Sequence, residues 1–318
     1  MKISVIGCGR WGSLIAWYLD RKGHSVSLYG RASSAHMQRF LRERQNDLLT
    51  LPESITLSTE LSVTKDAEVI VIAIASQSLR SLLKELRAID TRNKMIVLCM
   101  KGIEIDTTKR LSEIAAEILD ASCRIAVWLG PGHVQEFYSG IPNCMVIDSD
   151  DEETKIRLVD EFSSDLIRFY YGADLLGNEI GAAAKNVIGI AAGMLDGLGL
   201  STLKGALMSR GTREIARLIK VMGGNELSAY GLCHLGDYEA TVFSRYSHNR
   251  SFGEAFVKGE EFSSLAEGYY TVCAMVRLAE KYNVELPICS AVYEILYNGR
   301  SASKTLDELF RRSFKKEF

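Results

Sequence analysis

The hydrophobic rhythm of the chain changes once. Through the first half, short runs that are apolar at nearly every position alternate with longer stretches that are apolar on one face. The runs are ISVI (Ile3–Ile6), SVSLY (Ser25–Tyr29), VIVIAIA (Val69–Ala75), MIVLCM (Met95–Met100), IAVWL (Ile125–Leu129) and CMVI (Cys144–Ile147). Such runs predict strands buried on both faces. Between them, Leu14–Lys22, Leu79–Ala88 and Lys109–Leu119 carry helical spacing. The alternation predicts a mostly parallel, doubly wound sheet covered by helices. DSDDEET (Asp148–Thr154) reads as a solvated turn opening a helix, and LIRFYY (Leu166–Tyr171) as the strand that closes the sheet. After about residue 174 the strand pattern stops, and helical periodicity runs almost to the end. The expectation is an α/β domain over residues 1–174 and an all-helical domain over 175–318.

Composition narrows this little. A length of 318 residues favours two cores over one, and 47% hydrophobic with 25% charged residues is ordinary for a globular protein. A net charge of -2 gives no pull toward nucleic acid or an anionic membrane, although a local basic pocket remains compatible with it. The seven cysteines include no CxxC pair, which suits reduced thiols in a cytoplasm better than a disulfide framework or a metal site. Cys8, Cys99, Cys144 and Cys273 lie among apolar residues and are expected in the core. The apolar run in MKISVIGCG is too short for a signal peptide, and no apolar stretch reaches the length of a membrane span.

GCGRWG (Gly7–Gly12) matches G-x-G-x-x-G, directly after the first expected strand and opening a helix. In that context Gly7 permits the tight turn, Gly9 clears the approach of a pyrophosphate, and Gly12 lets helix and strand pack closely. The helix N-terminus then faces the anion. This makes the first domain a Rossmann-type dinucleotide site. NAD-specific sites place an acid near the end of the second strand. Here that place reads LYGRASS, with Gly30 and Arg31 and no carboxylate. Arg31, with Ser33 and Ser34, can accept a 2′-phosphate, so NADP(H) is expected with NAD(H) tolerated. Two loops fall at the ligand-binding edge of such a sheet: MKGIE with Lys101, and LGPGH with Gly130 and Gly132.

The helical half opens with GAAAKNVIGIAAG. Positions 181, 185, 189 and 193 share one helical stripe and read Gly181, Lys185, Gly189, Gly193. Four-residue spacing thus puts a lysine in a strip cleared of side chains, where either a second helix or a ligand approaches. Desolvation there would bring a lysine toward a useful acid/base range.

With these motifs in place, the chain resembles the NAD(P)-dependent glycerol-3-phosphate dehydrogenases over nearly its whole length. The resemblance is carried by GCGRWG, MKGIE, LGPG, AAAKNVIGIAAGMLDGLG, SRG (Ser209–Gly211), HLGDYEAT (His234–Thr241), SHNRSFG (Ser247–Gly253) and AEGYYT (Ala266–Thr271), in family order. It implies that Lys185 gives the proton to a ketone oxygen and that Lys101 touches substrate and nicotinamide. It implies that Asp237 and Thr241 orient Lys185 and the glycerol hydroxyls, with Asn186 holding a neighbouring group. It places Ser247, His248 and Asn249 at the substrate phosphate and cofactor, Gly130 and Gly132 beside the substrate, and Arg10, Trp11, Arg31, Val134 and Glu267 along the cofactor.

Several positions depart from the family pattern. Histidine replaces the usual arginine at His248, with Arg250 and Arg245 nearby as substitutes. Gln135 stands where lysine is frequent, Gly132 where Thr or Ser is frequent, and IAS (Ala75) replaces V-P-S. The resemblance implies reduction of dihydroxyacetone phosphate to sn-glycerol 3-phosphate, feeding glycerophospholipid synthesis. The departures keep open a same-fold dehydrogenase acting on another small phosphorylated or acidic ketone. A cofactor-binding sensor without catalysis is the third reading, and Lys185, Asp237 and Thr241 argue against it. Helical second domains of dehydrogenases often pair, so a homodimer is the self-association considered.

Overall fold

The computed structural model describes residues 1–311. Residues 312–318 of the expected helical domain lie outside the described residues. The chain forms two compact units: Met1–Lys101 with Lys109–Glu179, and Gly102–Thr108 with the residues from Ile180 on.

The first unit is an eight-stranded sheet. Its elements run β1 (Lys2–Ile6), α1 (Arg10–Arg21), β2 (Ser25–Tyr29), α2 (Ala35–Glu43), β3 (Thr56–Ser58), β4 (Val69–Ile72), α3 (Leu79–Arg87) and β5 (Met95–Leu98). They continue with α4 (Leu111–Ile118), β6 (Arg124–Leu129), α5 (Val134–Tyr138), β7 (Asn143–Ser149), α6 (Glu152–Phe162) and β8 (Ile167–Tyr171). The strand order is β3-β2-β1-β4-β5-β6-β7-β8. Every neighbouring pair is parallel except β6 and β7. A parallel crossover needs a dozen or more residues with a helix across the sheet. Between β6 and β7 the only helix is the five-residue α5, and the chain turns back beside itself. The central strands β4 and β5 are buried at every position, as their uninterrupted apolar runs require.

Two expectations are corrected here, and one strand is added. Asp148 and Ser149 are not part of a solvated turn but end the buried strand β7. The Asp148 carboxylate accepts from Asn178 Nδ2 at 2.7 Å and from the Asp174 and Ser149 amides. Burial pushes its pKa up against those bonds. The solvated helix start lies further on, where Asp151 caps α6 through Thr154 N. Strand β3 is an addition: its three residues TLS hold a sheet edge and carry no apolar run to betray them. Among the cysteines, Cys8 and Cys99 are buried, but Cys144 and Cys273 are only half-buried, while Cys123, Cys233 and Cys289 are buried. Apolar sequence neighbours do not fix the direction in which one side chain points.

The second unit is built from helices: α7 (Leu175–Gly197), which begins in the first unit, then α8 (Lys204–Val221), α9 (His248–Lys258), α10 (Glu267–Lys281), α11 (Pro287–Tyr297) and α12 (Ala302–Phe310). Buried Glu214 on α8 accepts from the Ile288 and Cys289 amides and so caps the start of α11, which Pro287 opens. Among the described residues, no helix is long and apolar enough to cross a membrane.

Candidate functional site

In the first unit the glycine loop joins β1 to α1. Gly7 has φ +110, and a Cβ there would stand 2.2 Å from the Ala73 carbonyl oxygen, so only glycine fits. A Cβ on Gly12 would stand 1.8 Å from the Gly7 carbonyl oxygen, which is how closely α1 packs on the loop. A Cβ on Gly9 would meet nothing within 4 Å. Gly9 is the N-cap of α1, no side chain caps the helix, and its first turn holds no acid. Open space before unblocked amides at a helix N-terminus fits a pyrophosphate. In this unit, then, a dinucleotide has a cradle.

Arg10 and Trp11 open α1 and reach the start of α5. Arg10 Nη2 donates to Gln135 Oε1 at 3.3 Å, and the Trp11 ring lies 6.1 Å from that of Phe137. Burial pulls the Arg10 guanidinium below its ordinary pKa. Val134 is buried at the head of the same short helix. At the end of β2, a Cβ on Gly30 would stand 2.5 Å from Cys8 Sγ and 2.9 Å from Met37 Cβ, which leaves no room for a carboxylate there. Arg31 is the first exposed side chain beyond it, 3.9 Å from Glu85. Ser34 caps α2 through Met37 N, and Ser33 is exposed. Lys101 Nζ donates to the Gly130 carbonyl at 2.7 Å, tying the loops after β5 and β6. Gly132 has φ +140, and the Phe137 ring fills the place of its missing side chain.

In the second unit the glycine stripe of α7 is covered by other segments of the chain, which decides between the two partners it left open. A Cβ on Gly181 would stand 3.0 Å from His234 Cβ, on Gly189 2.7 Å from Thr241 Cγ2, and on Gly193 1.9 Å from the Arg250 carbonyl oxygen. The stripe thus seats a 3₁₀ turn (Leu235–Asp237), a π turn (Glu239–Phe243) and α9. Lys185 sits among them. Its Nζ is 2.6 Å from Asp237 Oδ2 and donates to Thr241 Oγ1 at 2.8 Å, and all three residues are buried. The lysine is therefore not held by apolar groups alone: a carboxylate offsets the cost of burying its charge. Thr241 lies within the π turn, and single π turns are frequent at functional sites.

Asn186, next to Lys185, accepts at Oδ1 from Asn249 Nδ2 at 3.0 Å, and Asn249 Oδ1 accepts from Gly268 N at 2.9 Å. Ser247 is the N-cap of α9 and accepts from Arg250 N. His248 Nδ1 lies 3.3 Å from the Leu265 carbonyl, and Glu267 opens α10. Arg250 is bound to carboxylates, with Nε 2.7 Å from Asp196 Oδ2 and Nη2 3.3 Å from Glu254. Arg245 donates to the Tyr246 hydroxyl and is exposed. The expected residues are thus gathered in two sets. Gly7, Gly9, Arg10, Trp11, Gly12, Arg31, Lys101, Gly130, Gly132 and Val134 belong to the first unit. Lys185, Asn186, Asp237, Thr241, Ser247, His248, Asn249 and Glu267 belong to the second.

Residues 2–155 match the family model described as NAD-dependent glycerol-3-phosphate dehydrogenase N-terminus, and residues 174–307 match that of the C-terminus. The chain belongs to this family. A glycerol-3-phosphate dehydrogenase [NAD(P)+] of Chlorobium phaeobacteroides is 37% identical, the alignment covering 100% of this chain and 99% of the relative. That of Fusobacterium nucleatum is 36% identical over 100% and 98%. The crystal structure of glycerol-3-phosphate dehydrogenase from Coxiella burnetii superposes with a TM-score of 0.91 at 28% identity, covering 98% of this chain and 99% of the other. The Rossmann-type sheet followed by a helical domain is the architecture shared with that dehydrogenase.

Two groups of the second unit escape a reading of motifs. One is the buried pair His234 and Tyr238: His234 Nδ1 donates to the Gly181 carbonyl at 2.8 Å, and the Tyr238 hydroxyl donates to Nε2 at 2.8 Å, a tautomer assigned from these partners. Burial pushes the His234 pKa down to about 4. The other is Asp196 with Lys204, paired at 2.6 Å. His234 lies within the quoted HLGDYEAT, so its place beside Asp237 was the available signal; nothing in sequence links Asp196 to Lys204. An apolar cavity of 820 Å³ among α7, α8, α11 and α12 contains none of the expected site residues. Among the described residues, no group of three or more His, Cys, Asp or Glu is placed to hold a metal ion.

Proposed function

We propose that this chain interconverts dihydroxyacetone phosphate and sn-glycerol 3-phosphate with NAD(P)H, in the cytoplasm, at a step feeding glycerophospholipid synthesis. The observation that carries the reading is the buried Lys185–Asp237–Thr241 cluster. A bound NAD(P)H supplies the hydride, and the chain supplies position and charge. The open amides at Gly9 and the start of α1 hold the pyrophosphate, with Arg10, Trp11 and Val134 beside it and Arg31 toward a 2′-phosphate. Carbonyl reduction builds negative charge on oxygen, which the ammonium groups of Lys185 and Lys101 offset. Lys185 then gives its proton to that oxygen, while Asp237 and Thr241 fix the direction of its N–H bonds. Asn186, Asn249, Ser247 and His248 hold the substrate, Gly130 and Gly132 lie along it, and Glu267 and His248 meet the cofactor. The first unit is the dinucleotide-binding domain and the helical unit the substrate-binding and catalytic one. A homodimer paired through helical units is the proposed assembly, checked by sedimentation.

A second reading, reduction of another small phosphorylated or acidic ketone, is favoured by one observation. Arg250 is committed to Asp196 and Glu254, which leaves histidine at position 248 where the family carries arginine. Turnover with NADPH across a panel of phosphorylated and acidic ketones tests both. The first reading expects dihydroxyacetone phosphate to give the highest kcat/KM; no turnover of it, with turnover of another ketone, would replace the first reading by the second.

A further inference from the structure

Asp196 lies on α7 eleven residues after Lys185, about three turns along, and so on the same face. Its carboxylate is a junction. Lys204 Nζ donates to Oδ2 at 2.6 Å, Arg250 Nε lies 2.7 Å from Oδ2 as an ion pair without hydrogen-bond alignment, and Oδ1 accepts from Ser201 Oγ at 2.6 Å. Lys204 Nζ also donates to the Val242 carbonyl at 3.1 Å and lies 5.3 Å from the Phe243 ring centroid. Val242 directly follows Thr241 and sits in the same π turn. Arg250 directly follows Asn249, which holds Asn186. One half-buried carboxylate thus ties the two segments that carry Thr241 and Asn249 to the helix that carries Lys185 and Asn186.

We propose that Asp196 and Lys204 are positioning residues for the proton-delivering site: they hold the π turn so that Thr241 Oγ1 stays within hydrogen-bond reach of Lys185. The proposal rests on the reading of Lys185 and Thr241 given above. The physical need is clear. Within the π turn the Glu239 carbonyl is taken by the Ser244 amide, but Val242 lies in the last turn, whose carbonyls find no later amide in the element and need partners from outside. Lys204 supplies one at Val242, and Asp196 keeps Lys204 from withdrawing to water. A hydrogen bond that must hold a reacting ammonium in one direction tolerates little drift: misplacement by about 1 Å can cost roughly 100-fold in rate.

The test is a double-mutant cycle between Lys204→Met and Thr241→Ala, read in kcat, in KM for NADPH and in thermal midpoint. The expected results are a kcat loss of about tenfold or more for K204M with KM for NADPH unchanged, and recovery of most of kcat in Lys204→Arg. In the T241A background, K204M should change kcat by less than about twofold, because the group through which it acts is gone. Losses that multiply fully would overturn the positioning role and leave the reading of Thr241 intact. A T241A enzyme with native kcat would instead overturn both. If K204M does not fold, Lys204→Gln keeps an amide donor near Val242 without the charge and is put through the same cycle, with the same outcomes deciding.

Discussion

We propose that Arg31 is the residue on which cofactor choice turns. Its guanidinium is largely in water, held only loosely at 3.9 Å from Glu85, and no carboxylate can occupy position 30 behind it because Cys8 and Met37 fill that space. Arg31→Ala should therefore weaken NADPH binding about tenfold, the lower end for a charged hydrogen bond, and leave NADH binding nearly unchanged. Equal losses in dissociation constant for the two cofactors would show that Arg31 does not meet the 2′-phosphate. His248 is proposed for the corresponding role on the substrate side. A guanidinium grips phosphate as a charged fork, which imidazole cannot reproduce. His248→Arg should lower KM for dihydroxyacetone phosphate with kcat little changed; a raised KM would speak for a different substrate. Both residues were visible in sequence because each stands at a motif position. His234 and Asp196 are harder to place in sequence, because Gly181 and Arg250 reach them only through packing of distant segments, and Tyr238 and Lys204, four and eight residues on, only through the local turns.

At the scale of elements, the glycine stripe of α7 makes a signed prediction. Glycine to alanine normally stabilises a helix interior by about 1 kcal/mol. Gly205, with open space around its Cβ position in the first turn of α8, should gain part of that and raise the thermal midpoint on substitution by alanine. Gly193→Ala should lower it, since the new methyl would stand 1.9 Å from the Arg250 carbonyl and overpacking costs about 1–3 kcal/mol. Two changes of the same sign would contradict the packing described. His234 pins the 3₁₀ turn to α7 in its neutral form. Its pKa is about 4, depressed chiefly by burial, against the ordinary value of 6.5, so the unfolded chain binds the proton more readily between those values. Stability should then fall as pH drops from about 6.5 toward 4, by at most about 3 kcal/mol from this group. Denaturant midpoints at pH 7.5 and 5 should show a smaller drop for His234→Asn than for the native chain. Equal drops would mean that His234 accepts a proton in place. The stripe itself was legible in four-residue spacing, as were the strands with uninterrupted apolar runs. Edge strand β3 and the reversal of β7 were not: a three-residue edge carries no pattern, and strand direction depends on whether a helix crosses the sheet.

Across the whole molecule, the glycine-loop cradle and the buried lysine lie in different compact units. With cofactor binding proposed mainly for the first and proton delivery for the second, the two should separate under mutation. Lys185→Ala removes the ammonium and leaves Gly7, Gly9, Arg10 and Arg31 untouched. The deciding measurement is NADPH affinity and kcat with dihydroxyacetone phosphate on that one variant, set against the native protein. The account predicts a dissociation constant within about twofold of native and a kcat lower by about 100-fold or more, the range set by loss of a general acid. A variant that binds NADPH normally and keeps near-native kcat would contradict it, since Lys185 would then serve the packing of α7 and not the chemistry.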